Sequence, residues 1–237
     1  MVTAKGEAPA YQDTPAYHWG PRAYGVGELR ADRIVHLLGV GFAVAGSITL
    51  LVLVLAFGDG GAVAAVAPYL VGLNAMLLCS AAYNLTRPSA RREMLRRFDH
   101  AAIFVMIAGT YTPFTTRYLD GAWAIAITAT IWGIALVGVV VKIAFPRRFE
   151  RLSIGVYLGL GWFLVIPIQQ FMDTVEPSTA ILIGIGGLLF SVGTLFHLWH
   201  RLAYQNAIWH GFVLAATACH YAAVMRAMAF GLGSGTA

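Results

Sequence analysis

Ser80 and Asn84, Asp99 and His100, His197 and His200, and Asn206 and His210 are four close pairs of hydrogen-bonding or ionisable residues in a chain poor in such groups. Residues three or four apart share one face of a helix. Ser80 with Asn84, Asn206 with His210, and His197 with His200 have that spacing. A carboxylate, a hydroxyl, amides and imidazoles gathered in one place can orient water, move a proton, hold a cation or bind a polar headgroup. Each pair lies next to a long apolar run, and burying such groups in hydrocarbon costs several kcal/mol unless they are partnered or hydrated. Their position is therefore informative.

The elements that must carry them are membrane helices. Of 237 residues, 59% are hydrophobic, only 11% are charged, and the mean hydropathy is +0.71. A soluble domain would carry about 25% charged residues. Cys79 and Cys219 both lie in apolar runs, where a thiol acts as a small hydrophobe and a structural disulfide is not expected. Crossing a bilayer takes about 20 mostly apolar residues, and seven runs qualify: 34–56, 63–85, 99–118, 122–144, 152–172, 178–198 and 207–229. Breaks at Gly58-Asp59-Gly60-Gly61, Pro88-Ser89, Asp120-Gly121, Pro146 and Glu176-Pro177 separate them. The expected architecture is all-α, a seven-transmembrane helix bundle, with a polar tail over 1–33 in place of a cleaved leader, the bundle over 34–231, and a short tail over 232–237.

Orientation follows from the basic residues, which are retained on the cytoplasmic side. With the amino terminus inside and the carboxyl terminus outside, all sixteen Lys and Arg except Arg117 and Arg226 fall on the inner side. The net charge of +5 is then a signature of topology with some attraction to anionic lipid, and nucleic acid is not an expected partner. The same topology brings every polar pair to the cytoplasmic ends of its helices, with His36 of the first span at that level. Spans two, three and seven together would enclose a chamber of Ser80, Asn84, Asp99, Asn206 and His210. His36, His100, His197 and His200 lie near enough in depth to offer a metal site of their own. His220 lies about 15 Å deeper than His210.

These residues carry a resemblance. RRFDHAAIFVMIAGTYTPF, from Arg96 to Phe114, resembles the third-span signature of the hemolysin III family, relatives of the progestin and adiponectin receptors and of alkaline ceramidases. LLCSAAYNL at 77–85 is similar to the family's second-span end, NAIWHGFVLAATACHY at 206–221 to its last span, and DRIVHLLGVG at 32–41 to its first. The resemblance implies zinc held by three histidines, with a serine and an aspartate beside it. Here the serine is Ser80, the aspartate Asp99 and one metal-binding histidine His210, while Asn84 and Asn206 occupy the other two ligand positions. An amide oxygen is a weak zinc donor. With zinc, the family pattern suits hydrolysis of a lipid amide, with Asp99 and Ser80 as catalytic residues. With two ligands replaced, the expectation is a receptor-like or membrane-homeostasis protein whose chamber binds a lipid or small polar ligand. The family name also suggests a cytolytic pore. Residence in a bacterial inner (plasma) membrane is expected, with membrane lipids as partners.

Four features have plainer readings. Arg87 to Arg97 read as topology signals, and Tyr111, Thr112 and Pro113 as a kink in the third span. Pro167 invites a kink in the fifth. Gly155, Gly159, Gly184 and Gly187 read as small-residue contacts between helices. A retinal-type photoreceptor is excluded, because the seventh span has no lysine.

Overall fold

The computed structural model describes residues 17–18 and 23–230. Lys5, Glu7, Asp13 and Arg22 of the tail, and the carboxyl-terminal tail at 232–237, lie outside the described residues. Two two-residue strands, Tyr17–His18 and Ala23–Tyr24, pair antiparallel ahead of the first helix. Helices make up nearly all the rest: α1 Val26–Phe57, α2 Ala62–Leu85, α3 Ala90–Tyr118, α4 Gly121–Ala144, α5 Glu150–Gly161, α6 Ile168–Thr174, α7 Pro177–Leu198 and α8 Gln205–Met225.

The helices form a bundle with α3 at its heart, packed chiefly against α2 and α4. The first helix, α1, lies between α2 and α8, and α7 packs on α8. Tyr69, Leu73, Ala108, Ile131 and Ala223 are fully buried in the shared core. The outer faces are apolar as well, with Leu55, Ile125 and Val137 about two-thirds exposed, a surface suited to acyl chains. Helices α1, α2, α4, α7 and α8 (continued through the π-turn to Ala229) are each long and apolar enough to cross a membrane, and α5 with α6 makes a sixth element, bent by 57°. The apolar part of α3 is preceded by two charged turns, which dilute its average. The protein is a multi-pass membrane protein.

Local chemistry explains the boundaries. Ser89 caps α3 by accepting from the Arg92 N–H at 3.2 Å, and Pro177 opens α7, where its missing N–H is harmless. At α1 the Gly25 N–H donates to the Glu28 carboxylate at 2.8 Å, half of a capping box. The helix therefore starts eight residues before the expected apolar run. This places Asp32 on the helix instead of in a tail, one turn before His36.

Close helix approach occurs at glycines other than the expected ones. A Cβ at Gly72 would lie 2.8 Å from the Met106 backbone, and one at Gly109 would overlap the Pro68 carbonyl, so α2 and α3 touch backbone to backbone. Gly155, Gly159 and Gly184 meet nothing within 4 Å, and Gly187 only the Trp162 ring at 3.6 Å. Those four were expected as contacts, but an exposed glycine and an interhelical one look alike in a sequence. Gly109→Ala should lower stability by about 1–3 kcal/mol, since neither backbone can yield without parting the helices. Gly159→Ala should leave the melting midpoint of the detergent-solubilised protein unchanged or higher.

The arginines in the first turns of α3 do more than set topology. Arg96 Nη1 donates to Glu150 at 2.6 Å and Arg147 Nη2 to Glu93 at 2.7 Å, fastening the start of α3 to the α4–α5 turn. At the other end of the bundle Arg117 pairs with Asp59 at 2.8 Å and Arg226 with Glu176 at 3.2 Å. Arg147 holds the Glu93 carboxyl below its ordinary value by its hydrogen bond and charge. A carboxylate with a lowered folded pKa stabilises above its unfolded value, about 4.3, and loses that contribution as pH falls through the folded value. Acidification below about pH 4.3 should therefore loosen this latch. Comparing Glu93→Gln with the wild type in acid melts tests it: the wild type's midpoint should fall more steeply with pH.

Candidate functional site: a polar chamber at the basic end

Alternation of helix direction places the start of α1, the end of α2 and the starts of α3 and α8 at the same, arginine-rich end of the bundle. There His36 Nδ1 donates to the Asp32 carbonyl at 2.8 Å, with the Asp32 carboxylate 3.7 Å from the same nitrogen. Its Nε2 faces the Ser80 hydroxyl at 3.4 Å. His210 Nδ1 donates to Asp32 Oδ1 at 2.7 Å, and the His36 and His210 rings meet edge to face with centroids 4.3 Å apart. Asn84 donates to the Ser80 carbonyl at 3.0 Å and reaches its hydroxyl at 3.4 Å. The half-buried Asp99 carboxylate faces Ser80 and lies within electrostatic range of His210.

Four helices thus bring together Asp32, His36, Ser80, Asn84, Asp99 and His210. Asn206, one turn before His210, makes no recorded hydrogen bond to this group among the described residues. Of the histidines expected nearby, His36 joins. His100 offers its backbone carbonyl to the Tyr157 hydroxyl at 2.9 Å, and the His197 ring lies tilted against Trp209 with centroids 5.0 Å apart. His220 seats against Gly186 deep between α7 and α8, its Nε2 3.3 Å from the Ile183 carbonyl. A cavity of about 370 Å³ lined by Asp59, Thr112, Thr116, Arg117 and Met228 opens at the opposite end of the bundle, away from all these groups.

Asp32 is the member that sequence reasoning missed. Its signal was present in Asp32-x-x-x-His36, a one-turn pair like Asn206-x-x-x-His210, behind a Gly25–Glu28 helix start. A second fastening aligns it with α8. Glu28 accepts from the Tyr204 N–H at 2.6 Å, and Tyr204 holds the left-handed conformation (φ 59°) that begins α8. Gly27 admits the Tyr204 ring, whose hydroxyl would sit 2.8 Å from any Cβ there.

Residues 30–221 match the profile of the family described as "Haemolysin-III related". The chain belongs to the haemolysin-III family. It is similar to the "Hemolysin-3 homolog" of Bacillus subtilis (strain 168), with 32% identity over 82% of this chain and 92% of the relative. It is also similar to "Hemolysin-3" of Bacillus cereus, with 33% identity over 82% and 89%. The human "Monocyte to macrophage differentiation factor" is 25% identical over 67% of this chain and 68% of its own length. The resemblance to the hemolysin III family is thereby confirmed.

Zinc, which the resemblance implies, can be weighed against the donors present in this haemolysin-III protein. Asn84 and Asn206, where that resemblance implies two of the ligands, supply only amide groups, and Asn84 directs its nitrogen to the Ser80 carbonyl. They do not fit the ion. Asp32, His36 and His210 do have the chemistry, because a carboxylate and two imidazoles can each present one donor atom with all three within 4.8 Å.

Proposed function

We propose that this protein is a membrane-embedded hydrolase that cleaves an acyl bond, the carbon–nitrogen bond of an amide in the first instance, of a lipid entering from the cytoplasmic leaflet. One observation carries the reading: two oriented imidazoles, two carboxylates and a hydroxyl converge at the basic end of an otherwise apolar bundle. Groups costly to bury are kept where they do chemistry more often than where they merely hold structure.

The residues divide the work by position. Asp99 is placed to take a proton from water as the oxygen–carbon bond forms. Ser80, steadied by Asn84, is a hydroxyl donor for the developing carbonyl oxyanion. Asp32 orients His210 through Nδ1, leaving Nε2 to deliver a proton to the departing nitrogen as the carbon–nitrogen bond breaks. A zinc ion held by Asp32, His36 and His210 would supply Lewis-acid polarisation and a more acidic water in place of that acid pair, with Asp99 passing the proton it takes on to the departing nitrogen.

A second reading is a binding chamber without turnover, a receptor-like or homeostatic role. The replacement of two family ligand positions by Asn84 and Asn206 favours it. Both are tested with the full chain in lipid nanodiscs containing a fluorogenic N-acyl sphingoid lipid. Release of fatty acid by the wild type, and its loss in Ser80→Ala with an unchanged melting midpoint, is the expected result. Retention of labelled lipid with no release would favour the binding role and overturn the hydrolase.

A further inference from the structure

Asn84 and Asn206 stand where the resemblance implies metal ligands, yet the imidazole beside them, His210, is not left alone. α1 brings it a second imidazole and a carboxylate, with Asp32 Oδ1 2.7 Å from His210 Nδ1 and 3.7 Å from His36 Nδ1. We propose that this chain carries a rebuilt site for a divalent transition metal of the zinc class, with Asp32 and His36 of α1 and His210 of α8 as ligands. The inference builds on the chamber being the working site, and it specifies which residues would hold the ion there.

The geometry suits this class of ion. With metal–ligand bonds of about 2.1 Å, tetrahedral donors sit about 3.4 Å apart. The donors here lie within 4.8 Å of one another, so side-chain rotations suffice to close around an ion. Two nitrogens and one oxygen select zinc, cobalt or nickel over calcium or magnesium, which take oxygen. The Asp32 carbonyl holds His36 through Nδ1, the kind of outer-sphere hydrogen bond that fixes the ring of a metal-bound histidine. Three protein ligands leave a fourth position, as catalytic sites do. The Asp32–His210 hydrogen bond occupies the ligand pair as a shared proton does where an ion would otherwise sit. All three residues lie under one-sixth exposed, so a rim of surface charge is not the explanation.

Neighbouring histidines do not share this arrangement. His197 is turned to Trp209, and among the described residues no other three-residue group of His, Cys, Asp or Glu converges in this way. The site has in effect moved by one helix, keeping His210 as its pivot and exchanging α2 for α1.

The test uses the full chain in detergent, stripped with chelator and titrated with Co2+. Visible d–d absorption reports tetrahedral binding, and elemental analysis after zinc loading reports stoichiometry. The wild type should bind one ion per chain. Asp32→Ala, His36→Ala and His210→Ala should each weaken binding by at least about 100-fold, since loss of outer-sphere partners alone costs 10–100-fold. His200→Ala should bind as the wild type does. Because His36→Ala could unfold the bundle, His36→Gln and a melting curve accompany it, and ion-induced stabilisation should appear in the wild type and vanish in both variants. No stoichiometric ion in the wild type, or full binding in folded Asp32→Ala and His36→Gln, overturns the proposal. Ion binding without lipid hydrolysis would leave this site standing and remove the hydrolase; hydrolysis by a wild type that takes up no stoichiometric ion after loading would do the reverse.

Discussion

Asp99→Asn should lower the rate of lipid hydrolysis by about 10²–10⁴-fold, the range expected when a positioned proton acceptor is lost. The substitution keeps size and one acceptor oxygen toward Ser80 and removes the negative charge and the basicity. Neighbours set the magnitude. Asp99 faces Ser80 and lies in range of His210, so the proton it takes can be balanced by the one His210 gives. A structural role at the start of the third span predicts something else. Asp99 falls inside α3, ten residues after its Ser89 cap, so it does not cap free N–H groups there. Loss of the carboxylate would then reduce melting temperature and leave turnover per folded molecule unchanged. Initial rates in nanodiscs, normalised to folded protein, separate the two outcomes. Unchanged turnover in folded Asp99→Asn would remove Asp99 from the chemistry.

Tyr111→Phe should destabilise the protein by about 2–5 kcal/mol without touching the chamber. The break between α5 and α6 frees backbone groups in the apolar interior, where water cannot partner them. The Tyr111 hydroxyl fills that gap from α3. It donates to the Leu160 carbonyl at 2.8 Å, lies 3.2 Å from the Gly161 carbonyl, and accepts from the Leu164 N–H at 3.0 Å. Removing one oxygen orphans a buried acceptor and a buried donor, each costing about 1–3 kcal/mol. Tyr157→Phe, which removes a single 2.9 Å bond to the His100 carbonyl, should cost about half as much. Chemical unfolding in mixed micelles measures both. Equal losses in the two variants would show that the broken helix does not depend on Tyr111.

Apolar run length alone was enough to place most of the helices, because the bilayer dictates both length and composition. It failed where that constraint ends. The first two turns of α1 are polar, and nothing in hydropathy distinguishes a helix in water from a tail, so Asp32 was passed over while Ser80, Asp99 and His210 stood out against apolar surroundings. Tyr111 was legible as a polar residue near a proline, but its partner is the break near Pro167 on another element. Pro113 lies inside the continuous helix α3, where Thr112 donates to the Ala108 carbonyl at 3.0 Å and Thr116 to the Thr112 carbonyl at 2.8 Å. Which glycines allow close approach depends on helix rotation, and the small hydrophobic bias of an almost uniformly apolar helix does not reveal rotation.

The contact between Asp32 and His210 spans 178 residues, and Glu28 with Tyr204 spans 176. The bundle is therefore a ring shut by its first and last helices, and the join is also where the candidate chemistry lies. During synthesis the opening helix must wait, half its polar face unmatched, until the ribosome has delivered α8. A chain interrupted before that point holds Ser80 and Asp99 without His210 to meet them.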